Sequence, residues 1–341
     1  MSEEKRQLRK ERVDRGIYAR TTDMFALSSW REMSYLILPR ALPVILLLAM
    51  PIIMKLFVND YWANVSVLLA VMGILALTWD LLRTSGMFSL GHGLFIGLGS
   101  YTTASLNHFL GWPIWVTIPL GALGGGLIST LLLAGTLKLR GVYFAMITLA
   151  FPLLMSRVII ATNFLFGTAG TSVDGFPNFW VSAYFAVGSL LICLFGFRRL
   201  MDSDWGLVAR AIGQDDIAVL ASGINVTWRK IQVLFIASSI TAFAGTIITH
   251  HLMYAGISAF AQDYSIMPVA SVVIGGAGSF AGAVLGSTLL TLLSELLRGM
   301  GPLRIAIYAI LMVISILTIR EGIFPFIARR YRQFERKVEI T

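Results

Sequence analysis

The chain has little of what a water-facing protein needs. Of its 341 residues only 13% are charged, about half the roughly 25% of an ordinary soluble domain. It has one cysteine, Cys193, which excludes a disulfide-stapled secreted scaffold. At 57% hydrophobic it is also too apolar for a disordered chain. Even the few charges are crowded. Residues 1–40, 198–230 and 320–341 hold 20 of the 27 basic and 13 of the 18 acidic side chains, and the other 246 residues share 12. Twelve charges cannot cover a solvent-facing surface of that size, so an ordinary soluble enzyme is excluded as well. What remains is an all-α polytopic membrane protein.

The apolar runs divide into spans. A spanning helix takes about 20 mainly apolar residues, and the runs show no ten-residue alternation of a β-barrel. About ten transmembrane helices are expected, near 41–58, 62–82, 87–107, 114–137, 141–162, 181–197, 231–254, 265–277, 280–297 and 303–319, the eighth being short. The chain then divides into a basic cytoplasmic segment (1–40), a transmembrane domain (41–319) with an internal loop at 198–230, and a basic cytoplasmic tail (320–341). Basic residues flanking spans mark the cytoplasmic side. Six spans separate the first two charged blocks and four separate the last two, so all three fall on one side. The Lys138–Arg140 turn falls there too. The first 20 residues are too polar for a signal-peptide core. Their basic residues read as a lipid-side anchor rather than a nucleic-acid arm.

Three apolar stretches are unusually rich in glycine. The first runs from Arg83 through Gly86, Ser89, Gly91, His92 and Gly93 to Gly97 and Gly99. The second holds Gly121, Gly124, Gly125 and Gly126. The third is Gly275-Gly276-Ala277-Gly278-Ser279-Phe280-Ala281-Gly282, continuing to Gly286. Pairs four apart share a helix face and let backbones approach closely. The first and third stretches also lie at span junctions, where interrupted helices line substrate paths. Neither carries the Lys-Ser/Thr that ends a phosphate-binding loop, so no nucleotide site is expected on this chain.

Reactive clusters are missing too. His250 and His251 are adjacent and point about 100° apart on a helix, a poor geometry for one metal. No catalytic residues, metal site or cofactor are expected. Asp80 and Arg83, three apart at the inner end of the second span, can pair along one helix face. Residues 198–230 read as two short amphipathic helices. Gly213 can end the first, and Asp215/Asp216 can begin the second. That loop is a candidate docking knob for a partner.

Four segments carry a resemblance. They are Ser89-Leu90-Gly91-His92-Gly93 with Gly97, Gly99 and Tyr101; Leu139 to Ala145 with Thr148-Leu149; Arg210-Ala211-Ile212 with Asp215, Ala218 and Gly223-Ile224-Asn225; and Gly275 to Ser279. Together, over about residues 62–325, they resemble permease subunits of the ABC importers for branched-chain amino acids, of the high-affinity leucine/isoleucine/valine type. The resemblance implies a vitamin-B12-type (type II) permease in a bacterial inner membrane, with both termini cytoplasmic. Its implied partners are a second permease, two ATP-binding cassette subunits that bind the ATP, and a periplasmic substrate-binding protein. It implies that Gly86, Ser89, Gly91, His92, Tyr143, Thr148, Gly275 and Gly276 line or shape the substrate path. It also implies that Arg210, Ala211, Ile212, Asp215, Asp216, Ala218 and Gly223 belong to a coupling-helix pair docked on the ATPase. Thr78-Trp79-Asp80 departs from the family's usual Asn, and its urea and amide importers often carry an Asp near that place. A urea or amide importer therefore stays open beside a branched-chain one. An ion-coupled secondary carrier is the other alternative, though no carboxylate stands clearly at mid-depth.

Overall fold

A computed structural model describes residues 30–57, 59–163, 166–301 and 322–335, with seven further helical positions between 303 and 317. The contacts divide the chain into two units, residues 1–50 and 51–341, and every candidate site residue lies in the second.

Helix α1 (Trp30–Phe57) starts upstream of the expected first span. It is followed by α2 (Asp60–Thr84), α3 (His92–Leu110), α4 (Ile114–Ala134) and α5 (Val142–Thr162), then by α6 (Phe179–Met201). Two short helices come next, α7 (Asp204–Gln214) and α8 (Asp216–Ala221), where the charged loop was expected to form them. The long α9 (Val226–Leu252), then α10 (Asp263–Gly275), α11 (Phe280–Leu296) and α12 (Ile323–Glu335) complete the series. The one strand pairing among the described residues is a two-residue antiparallel ladder, β1 (Thr171–Ser172) with β2 (Tyr254–Ala255).

Six of the described helical segments are long and apolar enough to cross a membrane. They are Asp60–Thr84, Ile114–Lys138, Val142–Thr162, Phe179–Met201, Val226–Leu252 and Ile257–Gly275. Pro43–Leu56 and Phe280–Leu296 are apolar but shorter. Helix α3 carries Ser100, Thr102, Thr103, Ser105 and Asn107 along its length, which makes it more polar than its neighbours. The expected span at 303–319 falls largely outside the described residues.

Helix α2 is the axis of this unit. Its most apolar stretch is 94% buried, with α6, α9, α10 and α11 packed around it. A helix apolar on every face belongs in a core or a membrane. Helix α5 is equally apolar but only 22% buried. Val142, Met146, Leu154 and Val158 are exposed along it. That surface is tolerable only against lipid or another protein.

The glycines pack the bundle. In α3, α4 and α9, Gly99 lies on Ala242, Gly125 on Gly99, and Gly245 on Ile96, all backbone to backbone. In α10 and α11, Gly275, Gly282 and Gly286 meet in the same way. At these places the four-residue glycine spacing is helix contact.

Candidate functional site

The third expected span began at 87, but α3 begins only at His92. The intervening turn is held open by side chains. The Trp79 indole N–H donates to the Ser89 carbonyl at 2.7 Å, and the Leu90 N–H donates to Thr148 Oγ1 at 2.9 Å. The Gly91 N–H donates to Ser89 Oγ at 3.1 Å. Backbone groups satisfied in this way have no need of a helix. Ser89, Gly91, His92 and Thr148 are thereby brought together. Ser89, His92 and Thr148 are fully buried.

His92 extends the cluster inward. Its Nε2 lies 3.3 Å from Thr78 Oγ1, which lies 2.8 Å from Thr241 Oγ1 on α9. The Gly93 N–H donates to Ser265 Oγ of α10 at 2.9 Å. His92 Nδ1 is buried without a partner. One polar knot therefore touches α2, α3, α5, α9 and α10.

The other expected path residues stand apart. Tyr143 is 75% exposed on the outer face of α5. Gly275 is buried against Gly282. Gly276 ends α10 with φ 116, a backbone conformation open essentially to glycine. Beyond it the Gly278 N–H donates to Asp80 Oδ1 at 3.0 Å, and Arg83 Nε donates to the same oxygen at 3.0 Å. The expected Asp80–Arg83 pair is thus present, and it also clamps the α10–α11 break to α2. Asp80 Oδ2 is buried without a partner.

Gly86 meets the charged loop. With φ +76, it lies backbone to backbone against Gly213 of α7. Helix α7 runs one residue past Gly213, because Asp215 both follows α7 and caps α8. Its Oδ1 accepts the N–H groups of Ile217 and Ala218 at 2.9 and 3.1 Å, a strong N-cap arrangement. Ile212 and Val219 face the bundle, while Leu207, Ile217 and Leu220 are exposed. Ala211, Ala218 and Gly223 lie on the exposed side too. Arg210 folds back to donate to the Met201 carbonyl. Asp216 Oδ2 pairs with Lys230 at 3.3 Å and with Arg140 at 3.2 Å. The α7–α8 hairpin is therefore anchored to α9 and to the α4–α5 connection, with an apolar face left open.

Sequence reasoning missed the network at the opposite end. His250 Nδ1 donates to the Asp174 carbonyl at 2.6 Å, leaving the single lone pair of Nε2 as an acceptor 3.0 Å from both Thr103 Oγ1 and Thr117 Oγ1. Asn107 Nδ2 donates to Asp174 Oδ2 at 2.8 Å, and the Asp174 N–H donates to Asn107 Oδ1 at 3.0 Å. His251 takes a separate partner, Ser182, at 3.1 Å. The available signal was the pairing of adjacent His in α9 with an isolated Asp between the fifth and sixth expected spans, but nothing in the sequence placed them together.

The described geometry is that of a helical bundle with a buried polar knot and an external hairpin. A family model described as branched-chain amino acid transport system / permease component matches residues 61–319. The chain belongs to that family. It is similar to the high-affinity branched-chain amino acid transport system permease protein LivM of Salmonella typhimurium, at 29% identity over 71% of this chain. It is similar to the Escherichia coli LivM at 28% over the same share. The ribose import permease protein RbsC of Haemophilus influenzae is also related, at 30% identity over 55% of this chain and 59% of its own length. The chain spans 64% of the length of the two LivM relatives. No solved structure matches it. That family is one of transport permeases and not an enzyme class, and six of the described helical segments have the length and apolarity of membrane spans.

Proposed function

We propose that this permease is a membrane subunit of an ATP-driven importer for branched-chain amino acids. It works beside a second permease, two ATP-binding cassette subunits and a periplasmic substrate-binding protein. The observation that carries this reading is the backbone contact of Gly86 with Gly213, because it joins the exposed hairpin to the turn that carries the buried polar knot. ATP binding in the partner subunits moves α7 and α8, with Arg210, Ala211, Ile212, Asp215, Asp216, Ala218 and Gly223 at or near the contact. That motion is passed through Gly86 to Ser89, Gly91 and His92. Thr148 releases Leu90 as the knot opens, and the clamp at Asp80 carries the same motion to Gly275 and Gly276. Tyr143 and the exposed face of α5 meet the second permease, so the path runs between the two.

This reading places ten helices in the membrane in a type II arrangement, with the hairpin and both termini on the cytoplasmic side. ATP is bound only by the partner subunits. The two LivM relatives support branched-chain amino acids as the cargo over the sugar of the ribose permease, because they match a larger share of the chain. Competition decides the cargo. Membrane vesicles holding the full assembly should take up L-leucine with ATP, and excess isoleucine and valine should suppress that uptake. Suppression by ribose or urea instead would replace the substrate.

A further inference from the structure

A solvent-open cavity of about 220 Å³ lies between the α7–α8 hairpin and the α4–α5 connection. It is smaller than the roughly 300–1,000 Å³ of pockets that hold drug-sized ligands, so it has the scale of a small metabolite. Its wall has an apolar side and a side that carries charged groups. Met87, Leu137 and Phe144 are buried and give the apolar side. Arg140, Lys230, Asp215 and Asp216 give the charged side, two cations and two carboxylates.

Asp216 is already shared by Lys230 and Arg140, but part of the polar capacity is not used up inside the protein. Arg140 is 68% exposed in its pair with Asp216, and exposed pairs of this kind contribute only about 0–1 kcal/mol. A guanidinium has five N–H donors and an ammonium has three. Asp215, which lines the cavity, uses Oδ1 for its helix cap, which leaves Oδ2 outside the cap.

The balance of charge selects the ligand. Two carboxylates repel a phosphate, and two cations repel a simple amine. A zwitterion with an apolar side group satisfies both poles and the wall together. We infer that this cavity binds a free apolar amino acid, at a site separate from the Ser89–His92–Thr148 knot. The ligand chemistry is read from the wall alone. Its consequence rests on the importer reading: an occupant touching Arg140, Lys230 and the hairpin at once holds the hairpin against the bundle and slows the ATP-driven cycle.

The test is calorimetric titration of the purified full-length chain with L-leucine. Saturable binding is expected. Leu139→Trp, which fills the cavity from a partly exposed position, and Arg140→Gln should each weaken it at least about tenfold, equivalent to about 1.4 kcal/mol. Arg140→Lys should bind within a few-fold of the parent. Isovalerate, which lacks the ammonium, and isoamylamine, which lacks the carboxylate, should compete poorly. Unliganded melting midpoints check that each variant is folded. If Arg140→Gln does not fold, Leu139→Trp decides alone. Absence of saturable leucine binding overturns the proposal. So does binding unchanged in the folded variants, or isovalerate competing as well as leucine. The readout is binding to this chain, so a failure of leucine uptake would count against the importer reading and leave the site standing.

Discussion

Gly86 and Gly213 meet backbone to backbone: a Cβ on Gly86 would stand 3.3 Å from Gly213 Cα, and one on Gly213 would strike the Thr84 carbonyl. Two glycines far apart in sequence bring the hairpin and the α2–α3 turn into direct contact. A side chain on either one would act as a spacer.

Gly213→Val is therefore expected to push the hairpin off α2. Overpacking of this kind costs about 1–3 kcal/mol, so the chain should still reach the membrane. ATP-driven uptake should fall at least tenfold, taking about 1.4 kcal/mol per factor of ten in rate. Gly188→Ala, where a Cβ meets nothing within 4 Å, should leave uptake unchanged and serves as the control. Equal uptake in Gly213→Val and the parent would remove the contact from the mechanism.

The clamp at Asp80 makes an asymmetric prediction. Asp80 is fully buried, whereas Arg83 is 25% exposed. Arg83→Gln leaves a buried carboxylate with only the Gly278 N–H, and removing one partner of a buried pair is strongly destabilising, about 2–4 kcal/mol after allowing for the exposure of Arg83. Asp80→Asn keeps an acceptor for Gly278 and frees a cation that can reach water, so it should cost about 1 kcal/mol. Melting midpoints in detergent should fall further for Arg83→Gln, and the double variant should recover part of the loss. The reverse order would contradict the clamp.

How much of this was legible in the sequence depends on what kind of force was at work. Six apolar helices long enough to cross a membrane, and the two helices of the hairpin, followed from hydropathy and from the helix-starting Asp215, signals that act locally. The Asp80–Arg83 pair was legible because three residues is one helical turn. Its second partner, Gly278, is 198 positions away, and no periodicity reports such a contact. Span boundaries failed where side chains replaced helical hydrogen bonds, as Trp79 and Thr148 do around Ser89 and Leu90. The glycine pairs indicated close approach, but only the packing in three dimensions distinguishes Gly275, packed on Gly282, from Gly86, set against the hairpin.

At the far end, His250 ties α9 to α3, α4 and the 166–178 segment through its contacts with Thr103, Thr117 and the Asp174 carbonyl. His250→Ala should cost about 2–3 kcal/mol by leaving the buried Thr103 hydroxyl and the Asp174 carbonyl without the imidazole, while Thr117 keeps its bond to the Ile114 carbonyl. Limited proteolysis should then cut within 166–178 faster than in the parent. Unchanged cleavage would show that Asn107 and Asp174 hold the loop without it.

Exposure separates two residues that the sequence places on one path. Tyr143 is 75% exposed and Thr148 is buried. In a Cys193→Ser background, Tyr143→Cys should react with a membrane-permeant maleimide in the isolated chain, and Thr148→Cys should not. Assembly with the second permease should protect Tyr143→Cys. Labelling that assembly leaves unchanged would move the partner to another face.

The most direct measurement follows ATP hydrolysis and L-leucine uptake in the same proteoliposomes, for the parent assembly and for Ala211→Trp on the exposed side of α7. The account predicts that parent uptake requires ATP and that Ala211→Trp loses uptake while the ATPase subunits still hydrolyse ATP. Uptake driven by an ion gradient without those subunits, or full uptake by Ala211→Trp, would contradict it.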